Sequence, residues 1–425
     1  MTGIRRHGRR GGALGVVLLA ATLTACGGAD DTDADATASH HPVAMAGKER
    51  AAAQPVPRGT GSRTASDFNG DGAPDLVLDE LAHDGQGDDP GIGIVYGKKG
   101  HGLVPAARQL LSPRTYAAPT KGQTPAAFGS EAACDLNADG FTDLVVSTDP
   151  PYDGQGQPPV PLQLLFGSPA GISGQGVKLR IPAQARFGND WPDQPVCGDF
   201  DGDGKADLVV HASGGRLTFL PGPFTKAGAS RGTARIAQSS GNVPAAAADV
   251  NRDGADDVLV RAHNGTARSA VVLGGPTGPG RPGGAYPAGT DVAFGRFGTA
   301  VLTGGGLKVY AGQGAAPRTV PAAGETLDTG DLDGDGRTDL VVSGGDGAKV
   351  RLVRGGTKAV PGSPGAGRVV AVADFDGDGR DDLVLQRTSD TGTKDTVTVL
   401  PGARTAALLS AKPQLTFTTL EFTSR

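Results

Sequence analysis

A chain of 425 residues allows one large or two ordinary domains, and a net charge of −5 with no basic stretch interleaved with aromatics excludes a nucleic-acid surface. Aromatic residues are only 4% and Trp191 is the single tryptophan, too few for a broad stacking platform for sugars or bases. The 70 glycines and 31 prolines approach the proportion of a disordered chain, but they recur periodically between short Val/Leu runs, which points to an all-β fold.

The N-terminus reads as an export signal. Arg5, Arg6, Arg9 and Arg10 precede an apolar run, Ala13 to Ala21, that is too short to span a membrane. Leu23-Thr24-Ala25-Cys26-Gly27 follows and resembles the bacterial lipobox. That resemblance implies a lipoprotein signal peptide over residues 1–25 and acylation of Cys26. The protein is then expected on the outer face of the bacterial cell membrane. Two or three acyl chains anchor stably where one does not. Residues 26–60 have almost no large apolar side chains, so they are expected to form a disordered tether with an end-to-end distance of about 30 Å.

From residue 61 to 425 the sequence is organised by a repeat. Its first copy is Asp67-Phe-Asn-Gly-Asp-Gly-Ala-Pro-Asp75-Leu-Val, and five more share the form D-x-[DN]-x-D-G-x-x-D-[LV]-[VL]. Positions 1, 3, 5 and 9 are Asp67, Asn69, Asp71 and Asp75; Asp135, Asn137, Asp139 and Asp143; and Asp199, Asp201, Asp203 and Asp207. The later copies have Asp249, Asn251, Asp253 and Asp257; Asp331, Asp333, Asp335 and Asp339; and Asp374, Asp376, Asp378 and Asp382. The copies start 68, 64, 50, 82 and 43 residues apart. The long gap holds Asp291 to Leu302, the same strand pattern with the acids replaced by Ala293, Gly295 and Thr299, so a degenerate unit brings the total to seven. A second landmark also counts seven: an apolar strand ending in Gly97, Gly167, Gly222, Gly274, Gly312, Gly355 and Gly402.

These units resemble FG-GAP (VCBS) repeats, the blades of integrin α-type propellers. Phe128-Gly129 and Phe187-Gly188 match the "FG" landmark, and Phe166-Gly-Ser-Pro-Ala-Gly171 matches the "GAP" landmark. The resemblance covers residues 67 to 402. It implies a seven-bladed β-propeller with one degenerate blade, each blade four-stranded with the acidic loop joining its first two strands. Leu415 to Phe422 is then the outer strand of the last blade, with no strand exchange evident to close the ring.

The loops read as Ca2+ sites, about six in number. Oxygens at positions 1, 3, 5 and 9 converge only if the chain wraps one point, and Gly at position 6 permits that turn. All-oxygen, flexible ligation suits calcium, whereas zinc would call for His or Cys. An EF-hand would need Glu at position 12, where this chain has Leu78, Val146, Val210, Val260, Val342 and Leu385. Loops with Asn at position 3 carry one charge fewer and are expected to bind more weakly. The ligand positions hold 21 of the chain's 45 acidic residues, so cations are expected to stabilise the fold.

Cys134 lies one residue before its loop and Cys197 two before, which puts them on opposite faces of their strands and favours two buried thiols over a disulfide. No H-E-x-x-H, G-x-S-x-G, Walker or C-x-x-C motif is present, and His83, His101, His211 and His263 read as loop-edge residues. The first two blades carry long loops, which in the resembled family open on the face opposite the acidic loops. These bear Asp84, Asp88, Asp89, Tyr116, Tyr152, Asp153, Asp190 and Trp191. Of these, Tyr116, Tyr152, Asp153 and Trp191 are the candidate contacts for a protein or glycan ligand. The expected function is a lipid-anchored binding module. A hydrolase or lyase on the same scaffold and a structural envelope protein are the alternatives.

Overall fold

Leu208, Val209 and Val210 are all fully buried, as are Leu144 to Val146, Val258 to Val260 and Leu340 to Val342. Successive strand residues point to opposite faces, so each run needs a packing layer on both sides. The computed structural model supplies those layers as a ring of small antiparallel sheets. It describes residues 53–79, 81, 91–120, 122–149, 162–188, 192–213, 215–232, 235–237, 242–262, 267–345, 347–389 and 394–423. Six sheets have four strands and one has three, each in sequence order. Each blade touches the next, and the seventh touches the first. The seven-bladed propeller is thus the observed fold.

Seven hydrophobic clusters fill the seven interfaces between neighbouring blades. Position 2 of each acidic loop contributes to them. Phe68, Leu136, Phe200, Leu332 and Phe375 are buried against the following blade. The inner strands are Phe128–Cys134, Asp193–Gly198, Asn242–Ala248, Asp291–Gly295, Thr326–Gly330 and Arg368–Ala373. The second strands of the loop-bearing blades 2, 3, 4, 6 and 7 begin at position 9 itself, at Asp143, Asp207, Asp257, Asp339 and Asp382. In the degenerate fifth blade a tight hairpin, with Gly295 opposite Gly298, replaces the loop.

Four features differ from expectation. Cys134 and Cys197 form a disulfide with Cα atoms 6.4 Å apart. Their opposite parity, which argued against a bridge, is what permits it. Every sheet shows one face to the preceding blade and the other to the following one, so residues that meet between blades come from opposite faces. Cys134 of blade 2 and Cys197 of blade 3 accordingly pack in the same cluster.

The first blade has three strands, Leu76–Leu78, Ile92–Lys98 and Gly102–Leu111, rather than four. The stretch before its loop, Thr60-Gly-Ser-Arg-Thr-Ala-Ser66, offers no large apolar residue to either neighbour. It crosses the acidic loops instead: the N–H groups of Gly59, Gly61 and Ser62 donate to the carbonyls of Asn69, Gly70 and Gly140 at 3.1, 3.2 and 2.8 Å.

Residues 53–60 fall within the expected tether, yet Gln54 N–H donates to Ala106 O at 2.8 Å and Val56 packs on the cluster between blades 1 and 2. The signal peptide, Cys26 and the rest of the tether lie outside the described residues.

All four strands of blade 7 come from the C-terminal end, finishing with Leu415–Thr418. The outer strand, expected to run from Leu415 to Phe422, stops at Thr418, and a short helix, Leu420–Thr423, crosses back to blade 1 instead. Arg108 Nε donates to Glu421 O at 2.7 Å, and the Phe422 ring lies where a side chain on Gly93 would stand.

Candidate metal centres

Each acidic loop spans nine residues between an inner position and the second strand of its blade. Glycine at position 6 has a positive φ in all six, from +77° at Gly336 to +91° at Gly254. That turn aims the N–H groups of positions 5 and 6 at the position-1 carboxylate. Asp203 and Gly204 both donate to Asp199 at 2.9 Å, and Asp335 and Gly336 donate to Asp331 at 3.0 and 2.8 Å. Asp378 and Gly379 donate to Asp374 at 3.0 and 2.9 Å. The loops opened by Asp67, Asp135 and Asp249 repeat the pattern.

Position 9 is a buried staple. Asp207 Oδ2 accepts the N–H of Phe200 at 2.9 Å, and its Oδ1 accepts the N–H of Gly222 at 2.7 Å. The landmark glycine at the end of the strand that follows the position-9 strand donates to position 9 in all six loop-bearing blades: Gly97, Gly167, Gly222, Gly274, Gly355 and Gly402. Desolvation in these sites outweighs the hydrogen bonds and pushes the carboxyls up. Asp143 rises to about 8, Asp207 and Asp382 to about 7, and Asp339 to about 6. Asp75 is raised well above the ordinary carboxylate range by the same burial.

Several acidic clusters can hold a metal ion. Oxygens of Asp199, Asp201 and Asp203 lie within 4.8 Å of one another, as do those of Asp374, Asp376 and Asp378, and of Asp331, Asp333 and Asp339. Position 3 decides the fit. The Asp333 side chain is only 4% exposed, and its Oδ2 pairs with Arg354 while its buried Oδ1 has no partner. Asp201 is alike, with Oδ2 2.8 Å from Arg231 and Oδ1 buried and unpartnered. A buried polar atom left unpaired costs about 1–3 kcal/mol, and more when charged. A hard cation among these carboxylates would satisfy both oxygens.

The Asn loops fit less well. In the loops of Asp67 and Asp135 the orphan is a donor, Asn69 Nδ2 or Asn137 Nδ2, while the amide oxygen accepts the N–H of Asp71 at 3.1 Å or of Asp139 at 2.9 Å. In the fourth loop Asn251 is exposed and its Nδ2 donates to Asp253 at 2.9 Å.

Cationic side chains beside the loops escaped the sequence reading. Arg231 also reaches Asp203, Arg380 pairs with Asp378, Arg281 lies 3.4 Å from Asp253, and Lys226 lies 3.9 Å from Asp139. A signal existed, because Arg231 and Arg281 stand at the same offset from position 1 of their loops.

Of the ligand-surface candidates, Tyr152, Asp153 and Trp191 lie outside the described residues, as do Asp84, Asp88, Asp89 and Asp190. Tyr116 is half-buried against the cluster between blades 1 and 2. Its hydroxyl accepts from Gln109 Nε2 at 2.8 Å and its carbonyl from Gly176 N–H at 2.7 Å. His211 is buried with Nδ1 2.6 Å from Asp193 Oδ1, and its Nε2 accepts the N–H of Gly215 at 3.1 Å, which engages both ring nitrogens.

The FG-GAP-like repeat profile matches residues 199–260 and 331–385, which hold the third and fourth loops and the last two. No curated protein matches the chain. Among solved structures, a chain of the BBS1N–ARL6DN complex is 15% identical, covering 83% of this chain and 96% of its own at a TM-score of 0.45. The periplasmic gluconolactonase PpgL of Pseudomonas aeruginosa is 14% identical, covering 80% and 95% at 0.44. An Agrocybe aegerita lectin specific for non-reducing terminal N-acetylglucosamine is 14% identical, covering 83% of each chain at 0.36. Likenesses this distant carry no information about activity.

Proposed function

We propose that this chain, a seven-bladed propeller with FG-GAP-like repeats, is a calcium-stabilised binding module held at the bacterial cell surface through Cys26. The observation that carries the calcium reading is the pair of buried, unpartnered carboxylate oxygens, Asp201 Oδ1 and Asp333 Oδ1, each inside a cluster of aspartates. Asp199, Asp201 and Asp203 would hold one ion, Asp331, Asp333 and Asp339 a second, and Asp374, Asp376 and Asp378 a third. A bound ion would supply positive charge to carboxylates that otherwise repel one another, and would fix the ends of the first two strands in each blade.

The binding role rests on the scaffold. The acidic loops tie down the ends of the strands they join, and a scaffold held in this way tolerates variation in its surface loops at little cost to the fold. An export signal and lipobox in residues 1–26 would put the module outside the cell, where its partner would be a protein or glycan. Calcium titration of the purified protein, followed by calorimetry, tests the metal reading. Asp201→Asn and Asp333→Asn should each remove or weaken one ion. Titrations identical to wild type in both variants would refute it.

A further inference from the structure

The loops are joined in twos. Asp256, at position 8 of the fourth loop, closes onto Asp199, at position 1 of the third. Its N–H donates to Asp199 O at 2.7 Å and its Oδ2 accepts Asp199 N–H at 3.0 Å. Asp381 grips Asp331 in the same way, donating at 3.0 Å and accepting at 2.7 Å. Thr142 grips Asp67, donating at 2.9 Å and accepting through Oγ1 at 3.0 Å. Position 1 is thus held on both sides of its backbone by the neighbouring loop.

The remaining position-8 residues make no such link. Pro74 and Ala206 have no side-chain acceptor. Thr338 turns to blade 5, which has no acidic loop, and accepts Arg296 N–H at 3.4 Å. Between the first two pairs, blades 2 and 3 are joined by the Cys134–Cys197 disulfide, by backbone bonds from Phe224 N–H to Leu136 O at 2.7 Å and from Arg180 N–H to Gly228 O at 2.8 Å, and by Lys226 beside Asp139, but by no position-8 grip on position 1. Loops within a pair also touch directly. A Cβ on Gly202 would sit 3.5 Å from that of Ala255, and one on Gly334 would sit 3.2 Å from Gly379 O.

We propose that the loops take up divalent cations as three coupled pairs, opened by Asp67 and Asp135, Asp199 and Asp249, and Asp331 and Asp374, with Thr142, Asp256 and Asp381 as the positioning residues that couple them. This rests on the metal reading above and extends it to the three Asn loops, where binding is weaker. An ion held by Asp374, Asp376 and Asp378 fixes the segment leading into Asp381, while Asp382, which accepts the N–H groups of Phe375 and Gly402, holds its other side. Asp381 in turn fixes the backbone of Asp331, whose carboxylate is the pivot of its own loop. The second ion then meets a loop that is already ordered, so it binds more tightly, and linkage makes the effect reciprocal.

Hydrogen exchange read by mass spectrometry follows each loop separately as calcium is added. Asp374→Asn with Asp376→Asn disables the last loop without altering residues 331–339. It should raise the calcium midpoint for protection of residues 331–339 about tenfold. Asp381→Ala spares every ligand position and should raise it similarly. Asp381→Asn keeps an oxygen for Asp331 N–H and should restore the wild-type midpoint. Asp199→Asn with Asp201→Asn should leave the midpoint of residues 135–143 unchanged, because Ala206 offers no grip. Unchanged midpoints for residues 331–339 in both the ligand variant and Asp381→Ala would overturn the coupling and leave the metal reading standing. Absence of calcium-dependent protection in every loop of the wild type would remove that reading itself. Protection of strands Asp291–Gly295 and Gly298–Thr303 in blade 5, which has no acidic loop, reports whether each variant is folded.

Discussion

The N–H of Gly274 donates to Oδ1 of Asp257 at 2.8 Å, tying the end of a third strand to the last acid of the loop in the same blade. A Cβ on Gly274 would stand 2.3 Å from the carbonyl oxygen of Asp256 and 2.8 Å from that of Phe200. The glycine is therefore required by close backbone approach from two blades. Gly274→Ala should lower stability by about 2–4 kcal/mol, as other steric insults to a packed backbone do. Gly280→Ala, on an exposed glycine with nothing within 4 Å, should change it by less than about 0.5 kcal/mol. Urea denaturation in saturating calcium measures both.

Stability without metal should fall as pH rises. Burial raises the folded-state carboxyls of Asp143 to about 8, Asp207 and Asp382 to about 7 and Asp339 to about 6, against 3.8 as the ordinary value. Between those limits the native state binds more protons than the unfolded one, so raising pH favours unfolding. This contribution is whole below about pH 4 and is lost as pH rises through 6 to 8. Denaturation in a chelator at pH 5, 6.5 and 8 should show declining midpoints. Calcium should remove most of the decline, because the ion replaces the protons as the source of positive charge. A chelated protein that is most stable at pH 8 would contradict the assignment.

Cys134 and Cys197 should show no free thiol without reductant. Their sequence separation of 63 sets the chain-entropy loss in the unfolded state, so replacing both by Ala should cost about 4 kcal/mol. Peptide mapping under non-reducing conditions checks the linkage, and thermal unfolding checks the cost.

Phe422→Ala should open the seam between blades 7 and 1. The side chain is 7% exposed in the cluster shared by those blades, and large aromatic truncations in cores cost about 3–5 kcal/mol. Hydrogen exchange in Ile92–Lys98 should rise more than exchange in Thr326–Gly330, on the far side of the ring. Equal loss of protection in both segments would mean that the closure is not local.

Much of the fold was legible because its signals are local. Six loops and seven strand-end glycines count the blades directly, and the structure shows why both landmarks recur together. Position 9 needs the glycine N–H as a partner, while Gly312 survives in a blade whose acids are gone. What stayed hidden depends on neighbours in space. The parity of Cys134 and Cys197 misleads until the blades are set face to face. Asp256 and Asp381 look like spacers in a nine-residue string until the preceding loop is placed beside them. Arg231 and Arg354 approach position 3 from the connection after the third strand of blade 3 and from the end of the third strand of blade 6. The Asn loops were expected to be weaker on charge alone. The structure adds that Asn69 and Asn137 turn a donor, rather than an oxygen, into the buried space.

The most direct measurement is thermal unfolding of the purified protein with calcium and then with a chelator, with bound ions counted in parallel by equilibrium dialysis. The account predicts a large loss of thermal stability on chelation and at least three bound ions, at the loops opened by Asp199, Asp331 and Asp374. An unchanged midpoint with no bound calcium would contradict it, and the aspartates would then stand as turn-forming residues alone.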